Sequence, residues 1–281
     1  MNPAEIERLK ELLPTSLGSA EVREQIAADI LRRSVFSARM ECARYLAEVR
    51  DVASAMLSGE IERGEGERRL LRVLAALGHP PSPEATEGEP SGKLTDPASE
   101  RRLRLVLDTQ CQMAESVARL TQQTEAVVAQ YPGWELCRVG ERRLPRKDWL
   151  ARWSLAGNSV GWEGAVQHPI YGDATAYGFL ALKSSPIWQA LGDGVGGFRD
   201  TLGNPFPPFC YSSGMAWLDA DRETCERYGL IGLRGLRGST SQTSQTSQTS
   251  QTFPIPSLSP AEADILEAAR TVGFDISEGL L

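Results

Sequence analysis

Two neighbouring segments constrain this chain most: Ser185-Pro-Ile-Trp-Gln-Ala-Leu-Gly192 and Gly203-Asn-Pro-Phe-Pro-Pro-Phe-Cys-Tyr-Ser-Ser-Gly214. They place Trp188, Phe206, Phe209 and Tyr211 among Pro186, Pro205, Pro207 and Pro208. Proline removes backbone donors and fixes φ, and glycine loosens the chain, so no single long helix or strand fits here. The aromatic content is too high for a solvated linker. The pattern predicts an ordered, irregular loop system whose shape is set by aromatic anchors and whose surface serves a specific task.

The chain around this block divides by composition. Residues 3–13 read as a short helix ended by Pro14. Val22, Ile26, Ile30, Val35, Met40, Leu46, Val49, Ala53 and Met56 recur at three- and four-residue steps. That spacing predicts a long amphipathic helix over 19–58, breakable near Ser34–Ser37, with Ser19 as cap and Gly59 as stop. A further helix over 65–77 is closed by Gly78 and Pro80. Residues 78–98, rich in Pro, Gly, Glu and Ser, read as a linker. Asp96-Pro-Ala-Ser99 then opens a helix expected to run to about Gln130.

All six tryptophans follow, between Trp134 and Trp217. Strands are expected at 134–139 and 179–183, and helices at 146–156, 187–191 and 219–228. The fold class is therefore α+β: a helical N-terminal body with a smaller, loop-rich Trp/Pro module. The divisions are a helical region (1–77), a linker (78–98), a long helix of the body (99–131), a compact α+β module (132–237), a Ser/Gln/Thr spacer (238–258) and a short C-terminal helix (259–281). The spacer holds a strict Ser-Gln-Thr period with no apolar or charged residue over 239–252, which cannot form a core and reads as flexible.

Composition removes several function classes. Only His79 and His168 are present, which rules out a three-histidine zinc site within one chain. Both stand before prolines and read as turn residues. Five scattered cysteines without a Cys-x-x-Cys pair suit free thiols in a reducing compartment. No apolar run is long enough to span a membrane, and the first residues lack a signal-peptide core. Gly192-Asp-Gly-Val-Gly-Gly197 has the composition of a phosphate loop but not its Gly-Lys-Ser/Thr ending, so a turn is the better reading. No catalytic residue, cofactor or metal ligand is expected.

Two clusters invite a functional reading. Asp219, Asp221 and Glu223 could hold a cation or serve a nuclease or toxin-like enzyme; acids at a helix start, facing the positive end of the dipole, are the plainer account. The net charge of −7 argues against coating by nucleic acid, yet residues 101–152 carry ten basic and six acidic groups. Within that stretch Arg138, Arg142, Arg143, Arg146, Lys147 and Arg152 interleave with Trp134, Trp149 and Trp153. Such a pattern could hold a nucleic-acid strand by phosphate contact and stacking, or could be a surface over a tryptophan core. The candidate partner or DNA contacts are Arg142, Arg143, Arg146, Lys147, Arg152, Trp188, Phe206 and Phe209.

Several motifs stand in a fixed order. They are Ser37-Ala-Arg39, Leu77-Gly-His-Pro80, Leu94-Thr-Asp-Pro-Ala-Ser99 with Arg102-Leu103 and Asp108-Thr109, Pro132-Gly-Trp-Glu-Leu136, Arg143-Leu-Pro-Arg-Lys-Asp-Trp149 with Arg152-Trp153, Ser185-Pro-Ile-Trp188, Gly203-Asn-Pro-Phe-Pro-Pro-Phe209 and Ser213-Gly214. In order and spacing, over roughly residues 20–230, the chain resembles the minor head proteins of tailed phages, the head-morphogenesis (Mu F-like) family. It lacks the histidine- and cysteine-bearing C-terminal signature of that family's best-known branch.

The resemblance implies a structural, non-enzymatic virion protein. Its partners would be the portal protein and the major capsid or scaffold protein, with weak contact to packaged DNA. It would assist procapsid assembly, and DNA packaging or ejection, at the portal or inner shell. Its location would be the capsid interior or portal region, and the bacterial host cytoplasm during assembly. The competing readings are a phage-encoded nuclease or toxin-like enzyme built on the C-terminal module and a DNA-binding accessory factor.

Overall fold

A computed structural model describes residues 1–80, 92–139, 146–161, 167–169 and 177–231. The expected spacer and C-terminal helix lie outside these residues. The fold is α+β, with a helical body and a smaller sheet-bearing module.

The chain starts with α1 (Pro3–Leu9). Asn2 caps it: the Asn2 Oδ1 accepts from the Glu5 N–H at 2.8 Å, and Glu5 returns the bond to the Asn2 N–H. The helix expected over 3–13 ends early, because Lys10 turns extended and β1 (Glu11–Leu12) pairs with β2 (Ser34–Val35). This parallel pairing also breaks the helix expected over 19–58. In its place stand α2 (Ser19–Gln25), α3 (Ala28–Arg32), β2 and a turn, and only then α4 (Ala43–Ser58). Gly18, not Ser19, is the cap residue of α2. The Arg39 N–H reaches the Leu17 carbonyl at 2.8 Å, and Arg39 itself sits at φ +56°. Apolar spacing alone could not separate a helix from a short helix–strand–turn path whose buried side recurs at similar intervals.

The helices α4 and α5 (Arg63–Ala76) form a hairpin. Gly59, at φ +76°, closes α4 in the left-handed conformation that glycine tolerates, as its sequence position suggested. Gly66 permits close approach: a Cβ there would lie 2.7 Å from the Val52 Cγ1. The body's core holds Tyr45, Leu46, Val49 and Val52 of α4 and Leu70 and Leu74 of α5. Leu103 and Leu107 of α6 (Glu100–Thr121) complete it. The helix expected to reach Gln130 is two helices. After α6, Thr124 caps α7 (Glu125–Gln130) by accepting from the Val127 N–H.

Residues 92–98, the described end of the linker read over 78–98, fold onto the body. Ser99 caps α6 and its hydroxyl donates to the Lys93 carbonyl at 2.7 Å. Arg102 gathers the surroundings. Its guanidinium donates to the Leu94 carbonyl (3.0 Å), the Ser37 hydroxyl (3.0 Å) and the Ala38 carbonyl. Burial lowers its pKa, the cost of holding a cation on carbonyls rather than on a carboxylate. Arg102→Ala should therefore free both the 37–39 turn and the 92–98 segment, shown by rapid hydrogen exchange at Arg39 with α4 still protected.

The module is a four-stranded antiparallel sheet in the order β4 (Gln167–Pro169), β5 (Tyr177–Leu182), β3 (Gly133–Arg138), β6 (Met215–Ala220). Strands β3 and β5 were legible in the sequence. Strand β6 was not: residues 219–228, expected as one helix, split into the strand's end and α10 (Arg222–Arg227). One sheet face carries Trp134, Leu136, Phe179 and Trp217 under α8 (Trp149–Ser159) and α9 (Ile187–Asp193). The other is covered at Leu180 and Ala220 by Cys225 of α10. Val117 and Leu120 of α6 pack on the aromatic face, which joins body to module.

Candidate functional site

The sequence pointed to the Trp/Pro block and the basic stretch, and the fold brings the described parts of both together. Trp188 (2% exposed), Phe206 (4%) and Phe209 (1%) lie in the core. The Trp188 indole N–H donates to the Leu182 carbonyl at 2.9 Å, which ties α9 to β5. Its ring meets Trp153 and Trp217, each at 5.4 Å between centroids, and Phe209 at 6.1 Å. Trp134 and Trp217 stack at 3.7 Å. The tilted and T-shaped contacts of Trp188 with Trp153 and Trp217 are of the kind that fix aromatic cores. All three candidate partner contacts are buried in this conformation, and the rings of Trp188 and Phe209 pack on one another.

The basic candidates behave likewise. Arg146 and Arg152 converge on Asp200. The Arg152 Nη2 lies 2.9 and 3.1 Å from the two Asp200 oxygens, and its Nε donates to the Asp148 Oδ2 at 2.8 Å. Arg146 pairs with the Asp200 Oδ2 and donates to the Tyr211 carbonyl at 2.9 Å. The Arg138 Nη2 donates to the Arg146 carbonyl at 3.1 Å. The Phe198 ring lies 4.0 Å from the Arg152 guanidinium carbon, within cation–π range.

Burial opposes ionisation of Asp200, but hydrogen bonds from Arg146 and Arg152 and their charges outweigh it, so its pKa falls below the usual carboxylate range. Arg152 shows the same balance: burial lowers its pKa, and Asp148 and Asp200 carry it above its ordinary value. Arg146 and Arg152, expected as candidate partner or DNA contacts, thus have internal carboxylate partners. They are clamped between α8, the 198–201 turn and the turn at Tyr211 that leads into β6. Lys147 is exposed, and Arg142 and Arg143 lie outside the described residues.

The three acids divide among structural tasks. Asp219 pairs with Lys183 at 2.7 Å and with Arg119 at 3.5 Å, linking β6 to β5 and α6. Asp221 caps α10 through the Thr224 N–H at 2.7 Å. Glu223 pairs with Arg227 at 3.0 Å. Among the described residues no cluster of three His, Cys, Asp or Glu side chains is placed to hold a metal ion. Cys137, Cys210 and Cys225 are buried, and burial pushes the thiols of Cys137 and Cys210 up to about 11. His79 is an exposed turn residue whose N–H donates to the Leu74 carbonyl; the His168 side chain lies outside the described residues.

The glycine loop is a helix end. Gly194 closes α9 at φ +71°. The N–H groups of Gly194, Val195, Gly197 and Phe198 all donate to nearby carbonyls, so they make no phosphate cradle. Across this loop lies Arg23 of α2, which donates to the Phe198 and Asp193 carbonyls, each at 2.9 Å. Arg23, Ile26, Ala28, Leu31, Asp193, Leu202 and Gly203 line a shallow groove of about 170 Å³ there. Gly192 has no room for a side chain, since a Cβ would sit 1.8 Å from the Asn204 carbonyl oxygen. Gly192→Ala should cost about 3 kcal/mol or more, the upper range for overpacking, because the obstacle is backbone. Urea denaturation against the wild-type chain checks this.

The sequence did not single out Asp200 or Arg23, and it offered Arg102 as part of a motif without an organising role. Each acts on partners more than 45 residues away, and no local pattern marks such a role. Comparison of the chain with protein-family models, with curated proteins and with solved structures finds no match.

Proposed function

We propose that the chain is a minor head protein of a tailed phage, a structural component that joins the procapsid at the portal or inner shell. One observation carries the reading. The segments that bear the resemblance are the ones that brace the fold. Ser37 and Leu94 meet at Arg102, Asp108 pairs with Arg63 at 2.5 Å, Arg152 meets Asp200, and Trp188 stacks with Phe209. A motif set spent on internal bracing suits a protein whose role is shape and docking. Turnover instead needs a base, an acid or a nucleophile held toward a cleft.

The partners that fit are the portal protein and the major capsid or scaffold protein. Contact with packaged DNA falls to exposed cations such as Lys147 rather than to Arg146 and Arg152. No helix among the described residues is long and apolar enough to cross a membrane.

The test is mass spectrometry of procapsids and mature particles made from the genome that encodes the chain. The expected result is the chain in both, at a copy number far below that of the major capsid protein. Its absence from both would overturn the reading, as would catalytic turnover lost on replacing Asp219, Asp221 and Glu223 in a chain that stays folded.

A further inference from the structure

The loop from Thr201 to Cys210 closes on itself. Thr201 bridges Cys210, and the Leu202 N–H donates to the Phe209 carbonyl at 2.9 Å. The Gly203 N–H donates to the Gly192 carbonyl at 2.9 Å, which seats the loop on the end of α9. Asn204 lies inside at 0% exposure, and neither its Oδ1 nor its Nδ2 meets a protein partner. A carboxamide offers two donor hydrogens and an acceptor oxygen, and buried ones are ordinarily satisfied by protein or by ordered water.

The loop's own sequence explains why protein does not serve. Pro205, Pro207 and Pro208 carry no N–H. Among the described residues no hydrogen bond engages the Phe206 N–H or the carbonyls of residues 205–208. The loop thus buries an unsatisfied carboxamide, and its proline run leaves carbonyls without a protein donor among the described residues. A molecule with two donors and two acceptors, small enough for a closed loop, meets that need.

We infer that Asn204 binds an internal water, which accepts from Nδ2 or donates to Oδ1 and donates onward to the carbonyls of the proline run. The water does for this loop what backbone N–H groups would do in a loop without prolines, and it holds the 203–209 path against α9. The groove that reaches Gly203 gives it a route of exchange with solvent. The inference rests on the fold alone and stands apart from the phage reading.

The test uses the full-length, 15N-labelled chain. Cross-relaxation from water to the Asn204 side-chain amide should have the sign of a long-lived bound water, and Asn204→Leu removes the group that holds it. In that variant, hydrogen exchange at Leu202 and Gly203 should rise about tenfold or more while α4 keeps its protection. If Asn204→Leu does not fold, Asn204→Ser retains a hydroxyl to hold the water and should raise exchange at Leu202 and Gly203 above wild type, but by less than about tenfold. An Asn204 amide without water contact, or unchanged exchange in a folded Asn204→Leu, would overturn the inference.

Discussion

Asp200→Ala is expected to destabilise the chain by about 2 kcal/mol, between the values for exposed and for buried ion pairs, because Asp200 is 32% exposed and Asp148 stays with Arg152. The Arg152 side chain is 6% exposed and loses its two-oxygen partner, while Arg146 loses its only carboxylate among the described residues. The effect carries a pH signature. The folded pKa of Asp200 is lowered, so its stabilisation is present above the unfolded carboxylate value of about 4 and is lost as pH falls through the folded value. The gap between wild type and Asp200→Ala should be constant near neutrality and close in acid. Urea unfolding at a series of pH values measures it. A gap that widened in acid would show that Asp200 is not held ionised by its arginines.

Trp188→Ala should cost about 3–5 kcal/mol, as for a large aromatic removed from a core. The loss combines the cavity, the indole bond to the Leu182 carbonyl, and the ring contacts to Trp153, Trp217 and Phe209. Trp188→Phe keeps a ring and loses the hydrogen bond, so it should cost less than half as much. The near-ultraviolet circular dichroism of the tryptophan cluster should collapse in the alanine variant under conditions where helical signal remains. A Trp188→Ala chain with wild-type stability would mean that the ring is exposed in solution and free to meet a partner.

The long amphipathic helices were readable because their buried side chains recur at helical steps over many turns, as Leu46, Val49, Ala53 and Leu70, Leu74 do. Gly59 and Ser99 marked ends through local chemistry that does not depend on the rest of the fold. The stretch from Ile26 to Cys42 was misread because a parallel pairing with residues 11–12 decides its path, and that pairing is remote in sequence. Strand β6 was hidden for a related reason. Its acids suggested a helix start, but Trp217 and Asp219 are fixed by register with β3 and by Lys183.

The site was half legible. Trp188, Phe206 and Phe209 announced an anchored loop, and that is what they build. The arginines looked available because sequence shows charge without showing partners. Asp200, alone between Arg199 and Thr201, gives no local sign that it neutralises residues some fifty positions away. A basic and aromatic stretch is therefore ambiguous until the opposing carboxylate is found. Here the carboxylate clamps Arg146 and Arg152, two members of that stretch.

The most direct measurement of that clamp is a double-mutant cycle between Arg152 and Asp200, read as both folding stability and incorporation into particles. The expected coupling is about 1 kcal/mol or more, within the range for contacting residues, with particle incorporation falling only as far as stability falls. A coupling below about 0.5 kcal/mol, the level of independent sites, together with a stable Arg152→Ala chain that no longer enters particles, would contradict it. That outcome would return Arg152 to the surface as a partner contact.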